Sequence, residues 1–502
     1  MDGASRPPES KGAEGQPPER RQGFVAQKAR QFVALLVRLF FRRVVTLGVE
    51  ALPRDRGILL VAWHPNGLVD PALILTSMPG PLVLGARHGL FRWPLLGLLM
   101  RALGTVPIYR RSDTSGPDPA HRSHRNTTSL DALAAEVAQG SASALFPEGI
   151  SHDAPRPTTI KTGAARLYFR ARQLRDPTSH APAIVPVGLH YDRKRVYRST
   201  ALVVFHPPLN LPTALEHDDG ANPEAVAALT EYIEEALEES SMGLDSWALH
   251  ALLHRARKLV RAERAHRAQA DPGRSDIVEK IIGLKRIWVG YQHRSQTDPE
   301  AIDAVQRDIA AYDEDLIALG MDDHDLDRPP SVFRPTKHLL LLGQLMGVFV
   351  LMPPIVLVGY LVNSAPALVV ASLASRLSEL KKDVATLKLL LGLILFPTTW
   401  LAFGLLGAWG SPLSSGASTP QIAFVITTLA ATAAIGGALS IHYVRLVREV
   451  VRAVRVRSTR RLQLDAVVRL RKQRSHLHDR IMGFAEGIDL PGHVREDGRV
   501  DW

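Results

Sequence analysis

Polar positions recur at helical period over residues 24–45, where Gln27, Arg30, Gln31, Arg38 and Arg42 form one stripe opposite Phe32, Val33, Leu36, Leu39 and Phe40. The pattern fits an amphipathic helix lying in a membrane interface and fits equally a helix packed on a globular domain; the lack of any acid in this stretch favours the membrane. Further on the period changes. Apolar runs at 58–63, 141–146, 184–189 and 201–205 alternate with helical stretches such as 128–137 and 163–173. Strands alternating with helices predict an α/β domain over residues 44–212. Residues 223–325 mix acids and bases at helical period and predict a helical extension, broken at Asp271-Pro272-Gly273-Arg274. Residues 1–22 are rich in Pro, Gly, Glu and Arg, which predicts a disordered tail, and they lack the apolar core of a cleaved signal.

The pattern changes again near residue 339. Residues 339–375 contain no Asp, Glu, Lys or Arg over 37 positions, and 389–444 contain none over 56. A span needs about 20 apolar residues, so the second stretch predicts two spans, 389–409 and 422–443, joined by the Gly/Ser/Pro-rich turn 410–421. Pro353 and Pro354 interrupt the first stretch, and its flanks carry Arg334 and Lys337 on one side and Arg376, Lys381, Lys382 and Lys388 on the other. A broken hairpin that re-enters on the side it left is expected there, with both flanks cytoplasmic. A C-terminal membrane region, 339–444, and a basic cytoplasmic tail, 445–502, complete the organisation.

Composition narrows the chemistry. The 502 residues include no cysteine, which excludes disulfides, thiolate metal sites and a cysteine nucleophile. The net charge of +11 is concentrated: residues 443–480 carry +9 and residues 24–46 carry +5, so the remainder is net −3. Basic charge beside apolar segments points to anionic lipid rather than nucleic acid, which a folded basic module would bind.

Four short motifs stand at predicted strand ends. Trp63-His64-Pro65-Asn66-Gly67-Leu68-Val69-Asp70-Pro71 puts a histidine after an apolar run, with Asp70 expected to N-cap a helix that Pro71 begins. An imidazole oriented by a carboxylate is a candidate general base for a hydroxyl; the plainer reading is that Asp70 only caps. Gly104-Thr105-Val106-Pro107-Ile108-Tyr109-Arg110-Arg111 delivers guanidiniums suited to a phosphate. Phe146-Pro147-Glu148-Gly149 brings a carboxylate to a strand tip, and Ile184-Val185-Pro186-Val187-Gly188-Leu189 is a buried strand. Lys161, opening the helix 163–173, could add to a phosphate site or simply be solvated.

In this order and at these separations the four pieces resemble the glycerolipid acyltransferase superfamily over about a third of the chain, residues 44–212. The resemblance implies His64 as base and Asp70 as its orienting carboxylate. It implies further that Arg110, with Glu148 and Gly149, holds the glycerol phosphate head, that Arg111 and Lys161 assist, and that Pro186 belongs to an apolar block near the acyl chain. Most of the superfamily has four residues between the His and Asp, whereas five stand here. This variant is similar to a fungal and bacterial branch that acylates glycerol 3-phosphate or dihydroxyacetone phosphate at position 1. Ser151-His152-Asp153, Leu189-His190-Tyr191 and Tyr197-Arg198-Ser199 also resemble that branch, while Phe205-His206-Pro207 departs from its usual Phe-Gly before proline.

The expected architecture is thus an α/β acyltransferase domain, a helical extension and a C-terminal helical membrane domain. The expected partners are acyl-CoA or acyl carrier protein as donor, a glycerol phosphate acceptor and membrane lipid, with no nucleic acid, cofactor or metal. The acceptor is glycerol 3-phosphate, or alternatively a 1-acylglycerol 3-phosphate; a non-catalytic lipid-binding protein is a third reading, disfavoured by four intact motifs. The expected location is the inner or plasma membrane of a bacterium, with the active site on its cytoplasmic side and only residues 410–421 outside.

Overall fold

The apolar run Ile58-Leu59-Leu60-Val61-Ala62 is buried at every position. This is how a strand reads when a parallel sheet is covered on both faces. In the computed structural model, which describes residues 23–109, 119–327, 343, 346–377, 384–410 and 418–501 apart from 195, 219, 272 and 274, this run is β2, in the middle of a seven-stranded sheet. The expected tail, residues 1–22, lies outside the described residues. The other strands are β1 (Phe41–Leu47), β3 (Leu82–Arg87), β4 (Val106–Ile108), β5 (Ala142–Leu145), β6 (Ala183–Tyr191) and β7 (Ser199–Phe205). Their order is β1-β7-β6-β2-β5-β3-β4, and all neighbours are parallel except β6 with β7.

Alternate side chains of β2 serve two cores. Ile58, Leu60 and Ala62 pack with α1 (Phe24–Phe40) and α2 (Val69–Ser77) on one face. Leu59 and Val61 pack on the other face with α4 (Pro119–Ala138), α5 (Gly163–Leu174) and α7 (Pro223–Ser241). The short helices α3 (Pro94–Ala102) and α6 (Thr213–His217) complete this layer structure. Because Ala225, Val226, Leu229, Ile233 and Leu237 of α7 are buried in this core, the α/β unit extends beyond the expected boundary at residue 212.

The helix expected over residues 24–45 ends at Phe40, and the chain continues as β1. The β-branched run Val44-Val45-Thr46 finds a partner in β7, so strand pairing overrides the helical stripe. Ala29, Val33, Val37 and Phe40 pack on the domain while Phe24, Phe32, Leu35 and Leu39 face outward. Arg30 of the polar stripe turns inward, donating to the carbonyls of Gly80, at 2.9 Å, and Met78.

The helical extension consists of α8 (Trp247–Arg267), α9 (Ile277–Thr297) and α10 (Pro299–Leu319). The segment beyond the membrane region joins it. After α11 (Met352–Leu377), α12 (Val384–Trp409) and the 44-residue α13 (Thr419–Leu462), helix α14 (Leu464–Gly483) buries Val467, Leu470, Leu477 and Ile481 against Leu259, Ile309 and Tyr312. The expected basic tail is therefore a folded part of the helical unit. Arg474, with none of its side chain exposed, pairs with Glu263 at 2.9 Å and Asp327 at 2.7 Å, and Arg452 pairs with Asp325 at 2.8 Å. Part of the basic charge, Arg452, Arg471, Arg474 and Arg480, thus meets acids more than a hundred residues away.

The hairpin expected over 339–375 is also revised. Residues 328–342 lie outside the described residues, but a π-helical turn, Gly347–Leu351, runs directly into α11. Pro353 and Pro354 fall where the π-helical turn passes into α11, and the helix continues through them rather than turning back. Val356–Arg376, Leu387–Trp409 and Thr419–Val456 are each long and apolar enough to cross a membrane. Gly359 lies against Gly436 so closely that a Cβ on it would meet the Gly436 carbonyl carbon at 2.2 Å. Asn363 ties the three helices, donating to Gly359 O and Ala433 O and accepting from Trp400 Nε1, each at 2.8 Å. Small residues and shared polar groups hold helices together where no hydrophobic effect can.

Candidate active site

The chain leaves β2 at Ala62 and turns through His64-Pro65-Asn66-Gly67 into α2. The backbone polar groups of this turn are satisfied from several elements. The His64 N–H donates to Glu148 Oε2 at 2.9 Å, and the His64 carbonyl accepts from His152 N at 3.0 Å. The Pro65 carbonyl accepts from Lys194 Nζ at 3.2 Å, and Asn66 N–H donates to Asp70 Oδ2 at 2.7 Å. A turn so fully bonded is rigid without its own secondary structure.

Asp70 is not the helix cap expected from the sequence. Leu68 precedes the first residue of α2, and Asp70 lies in its first turn, fully buried. Its carboxylate turns back to the loop. Oδ2 meets His64 Nδ1 at 2.8 Å, and Oδ1 accepts from the Tyr191 hydroxyl. Burial first, and then the Asp70 carboxylate, push the Tyr191 phenol well above its ordinary range, so Tyr191 stays a donor. With Nδ1 engaged by Asp70, the remaining His64 nitrogen, Nε2, is the one left to accept a proton. The His64 ring stacks on Phe146, centroids 4.1 Å apart.

Glu148 lies beneath this turn rather than facing substrate. It is 1% exposed, and its carboxylate accepts from His64 N, from Thr158 N at 2.8 Å and from His152 Nε2 at 2.5 Å. Because His152 Nδ1 accepts from Ala154 N, the ring's proton is on Nε2. Glu148 is therefore saturated, and it positions His64 through the backbone. Gly149 adopts φ +70°, and a Cβ there would come within 2.6 Å of Lys161 Nζ. The position thus needs glycine for its backbone and for the lysine crossing it. Pro186 sits within β6 opposite Val61, its carbonyl accepting from His206 N at 3.0 Å; it is inside the sheet and off the cleft wall. Arg110 and Arg111 lie outside the described residues.

His64 opens on a cleft of about 2,020 Å³. Its lining includes the cations Arg87, Lys161, Arg166 and Arg170, the last paired with Asp131 at 2.9 Å, together with apolar Val37, Leu75, Leu99, Leu103, Leu387 and Leu390. The last two belong to the start of α12, so the cleft runs from the sheet to the membrane helices. An amphiphile with a phosphate at one end and a hydrocarbon chain at the other matches such a lining. Tyr191, His152 and Arg166 were not assigned roles from the sequence. Tyr191 and His152 stand in two of the short branch motifs noted above, and Arg166 lies in the first turn of α5, just after Lys161.

Comparison with known proteins supports the glycerolipid acyltransferase superfamily. Residues 43–190 match the acyltransferase family model, and residues 272–489 match that of the glycerol-3-phosphate acyltransferase 2 C-terminal domain. The second match takes in α9, α10, the three apolar helices and α14, and begins after α8. Similar proteins include an uncharacterised acyltransferase of Schizosaccharomyces pombe, 24% identical over 76% of this chain and 68% of its own length. The chain is 22% identical to glycerol-3-phosphate O-acyltransferase 1 of Saccharomyces cerevisiae, over 52% of this chain and 35% of the yeast enzyme. It is 21% identical to a 1-acyl-sn-glycerol-3-phosphate acyltransferase of Borreliella burgdorferi, over 35% of this chain and 65% of that protein. Among solved structures, the 1-acyl-sn-glycerophosphate acyltransferase of Thermotoga maritima aligns with TM-score 0.30 and 18% identity over 43% of this chain and 79% of that one.

Proposed function

We propose that the protein transfers a fatty acyl group from acyl-CoA or acyl carrier protein to the 1-hydroxyl of glycerol 3-phosphate, at a membrane surface. The observation that carries this reading is the His64–Asp70 pair, 2.8 Å apart, opening on a cleft lined by several cations and many apolar side chains. His64 Nε2 takes the hydroxyl proton as the oxygen attacks the thioester carbonyl. The tetrahedral intermediate then collapses, the C–S bond breaks, and the leaving thiolate recovers the proton from the imidazolium. Asp70 stabilises that imidazolium, and Tyr191 and Asn66 hold Asp70. Lys161 and Arg166, with Arg110 and Arg111 from the neighbouring motif, supply charge for the phosphate.

The glycerol-3-phosphate O-acyltransferase relatives and the matching C-terminal domain favour the unacylated acceptor. The Borreliella relative supports the alternative, a 1-acylglycerol 3-phosphate acceptor. Steady-state rates of the purified full chain with glycerol 3-phosphate, dihydroxyacetone phosphate and lysophosphatidate decide between them; faster turnover of lysophosphatidate overturns the first reading.

Three apolar helices suggest membrane association. We further read the α/β domain, the helical unit and α14 as lying together on the cytoplasmic side. Arg452 and Arg474, beyond the membrane segments, bond Asp325, Asp327 and Glu263, before them. Both ends of the membrane region therefore share a side, which requires an even number of crossings between them. The relatives come from yeasts and a bacterium, so the reading extends to membrane side and not to one kind of organism.

A further inference from the structure

A second basic site lies in the helical unit, away from the acyl cleft. A cavity of about 50 Å³ between α8, α9 and the segment after α14 is lined by Arg257, Arg261, Arg264, Arg286 and a single carboxylate, Glu279. Glu279 is occupied, because Arg261 grips it through Nε at 2.5 Å and Nη2 at 3.2 Å. Three guanidiniums remain without an acid. Arg257 is only 6% exposed, and among the described residues it makes no hydrogen bond or ion pair; its Nε is buried and unpaired. Arg264 donates from Nη2 to the Met482 sulfur at 3.1 Å, a weak acceptor. Arg286 spends Nη1 on the carbonyls of Pro491 and Gly492, both at 2.9 Å, and its Nε is buried without a partner.

A buried cation without a partner is costly, and native structures pair such groups. The rest of the lining is uncharged, apolar apart from Gln306 and Tyr291, so beyond Glu279, which Arg261 already holds, no wall residue supplies a compensating charge. Burial pulls Arg257 and Arg264 down to about 10 each, which still leaves both cationic at neutral pH. We infer that this cavity binds a phosphate group, free or as the head of a phospholipid, with Arg257, Arg264 and Arg286 as its donors. A tetrahedral dianion matches both the size of the space and the forked donors around it. The half-buried Arg264 and Arg286 leave it reachable from outside.

The test is thermal unfolding of the full chain in two arms at matched ionic strength. One uses detergent micelles with inorganic phosphate against chloride. The other uses phosphatidylcholine nanodiscs with or without phosphatidate, in phosphate-free buffer. A saturable rise in Tm in either arm is expected, lost in Arg257→Gln and in the half-buried Arg264→Gln but kept in Lys161→Ala, whose lesion is in the acyl cleft. The first arm alone responding assigns a free anion; the second alone assigns a lipid head. Without phosphate, Arg257→Gln should be at least as stable as the parent, since it removes an unpaired buried charge, whereas a purely structural arginine would lower Tm under all conditions. No rise in either arm, or a rise that survives Arg257→Gln and Arg264→Gln but vanishes in Lys161→Ala, overturns the assignment and leaves phosphate binding to the acyl cleft.

Discussion

Glu148 accepts a hydrogen bond from the backbone N–H of His64 at 2.9 Å, across 84 residues of sequence. The carboxylate of one motif thereby fixes the place of the histidine in another. Replacing Glu148 by Gln keeps the shape but turns one oxygen into a donor, which faces N–H groups of His64 and Thr158 or the His152 ring. A buried mismatch of this kind costs about 1–3 kcal/mol. Urea unfolding of Glu148→Gln should show that loss, together with reduced acyl transfer.

His64→Ala should abolish acyl transfer while the protein remains folded and membrane-bound. Asp70→Asn should lower kcat by about 10⁴, the cost of losing the orienting aspartate in a comparable histidine system. Turnover of His64→Ala at the parent rate would refute the catalytic assignment.

Tyr191→Phe removes a donor from the Asp70 carboxylate without touching substrate. Hydrogen bonds to charged groups contribute about 1.5–3 kcal/mol, so kcat should fall about 10- to 100-fold. KM for both substrates should hardly change. A rise in KM with kcat intact would move Tyr191 from positioning the dyad to binding substrate.

Arg110→Ala and Lys161→Ala should raise KM for the phosphorylated acceptor much more than for the acyl donor, because a phosphate clamp serves one substrate. Equal rises for both would remove the phosphate role.

Acid should destabilise the fold through buried neutral histidines. Burial, then His206 and Lys285, lower His190 to about 4; burial, then His250 and nearby cations, lower His254 to about 3. The unfolded chain protonates these rings near pH 6.5 and the folded chain does not, so between pH 6.5 and about 4 the unfolded state binds more protons. Stability should therefore fall as pH falls through that window and be flat, for these groups, above it. Tm measured from pH 7.5 to 4.5 should have a shallower slope in a His190→Gln, His254→Gln variant.

Membrane sidedness can be read with an impermeant thiol reagent, since the chain has no native cysteine. Cysteines at Gln296, in the helical unit, and Ser458, beyond the membrane region, should label from the same side, and one at Ser418 from the other. Opposite labelling of the first two would show that an odd number of helices crosses and would sink the shared-side topology.

The α/β unit was legible because each buried strand is a continuous apolar run ending in a motif, so β2, β5, β6 and β7 could be placed within a few residues. The His64–Asp70 pairing was only a candidate from its spacing, and the resemblance of the four motifs together carried it. That Asp70 does not cap its helix could not be read, because only the fold decides whether a first-turn carboxylate faces its own helix or the loop before it. Glu148 and Pro186 were misplaced for a related reason: a motif tells which residues cluster, not which way each side chain turns. The basic C-terminal segment misled most. Its partners, Glu263, Asp325 and Asp327, precede the whole membrane region, and no local pattern announces pairs so remote.

That remoteness also fixes an order of assembly. During synthesis Glu263 and Asp327 emerge long before Arg474, and everything between them includes the three apolar helices. The core around Tyr312 and Leu470 cannot close until the ribosome has delivered nearly the whole chain and the bilayer has accepted its helices. A product stopped short of α14 would leave Glu263, Asp327 and the apolar side chains around Tyr312 without the partners that cover them.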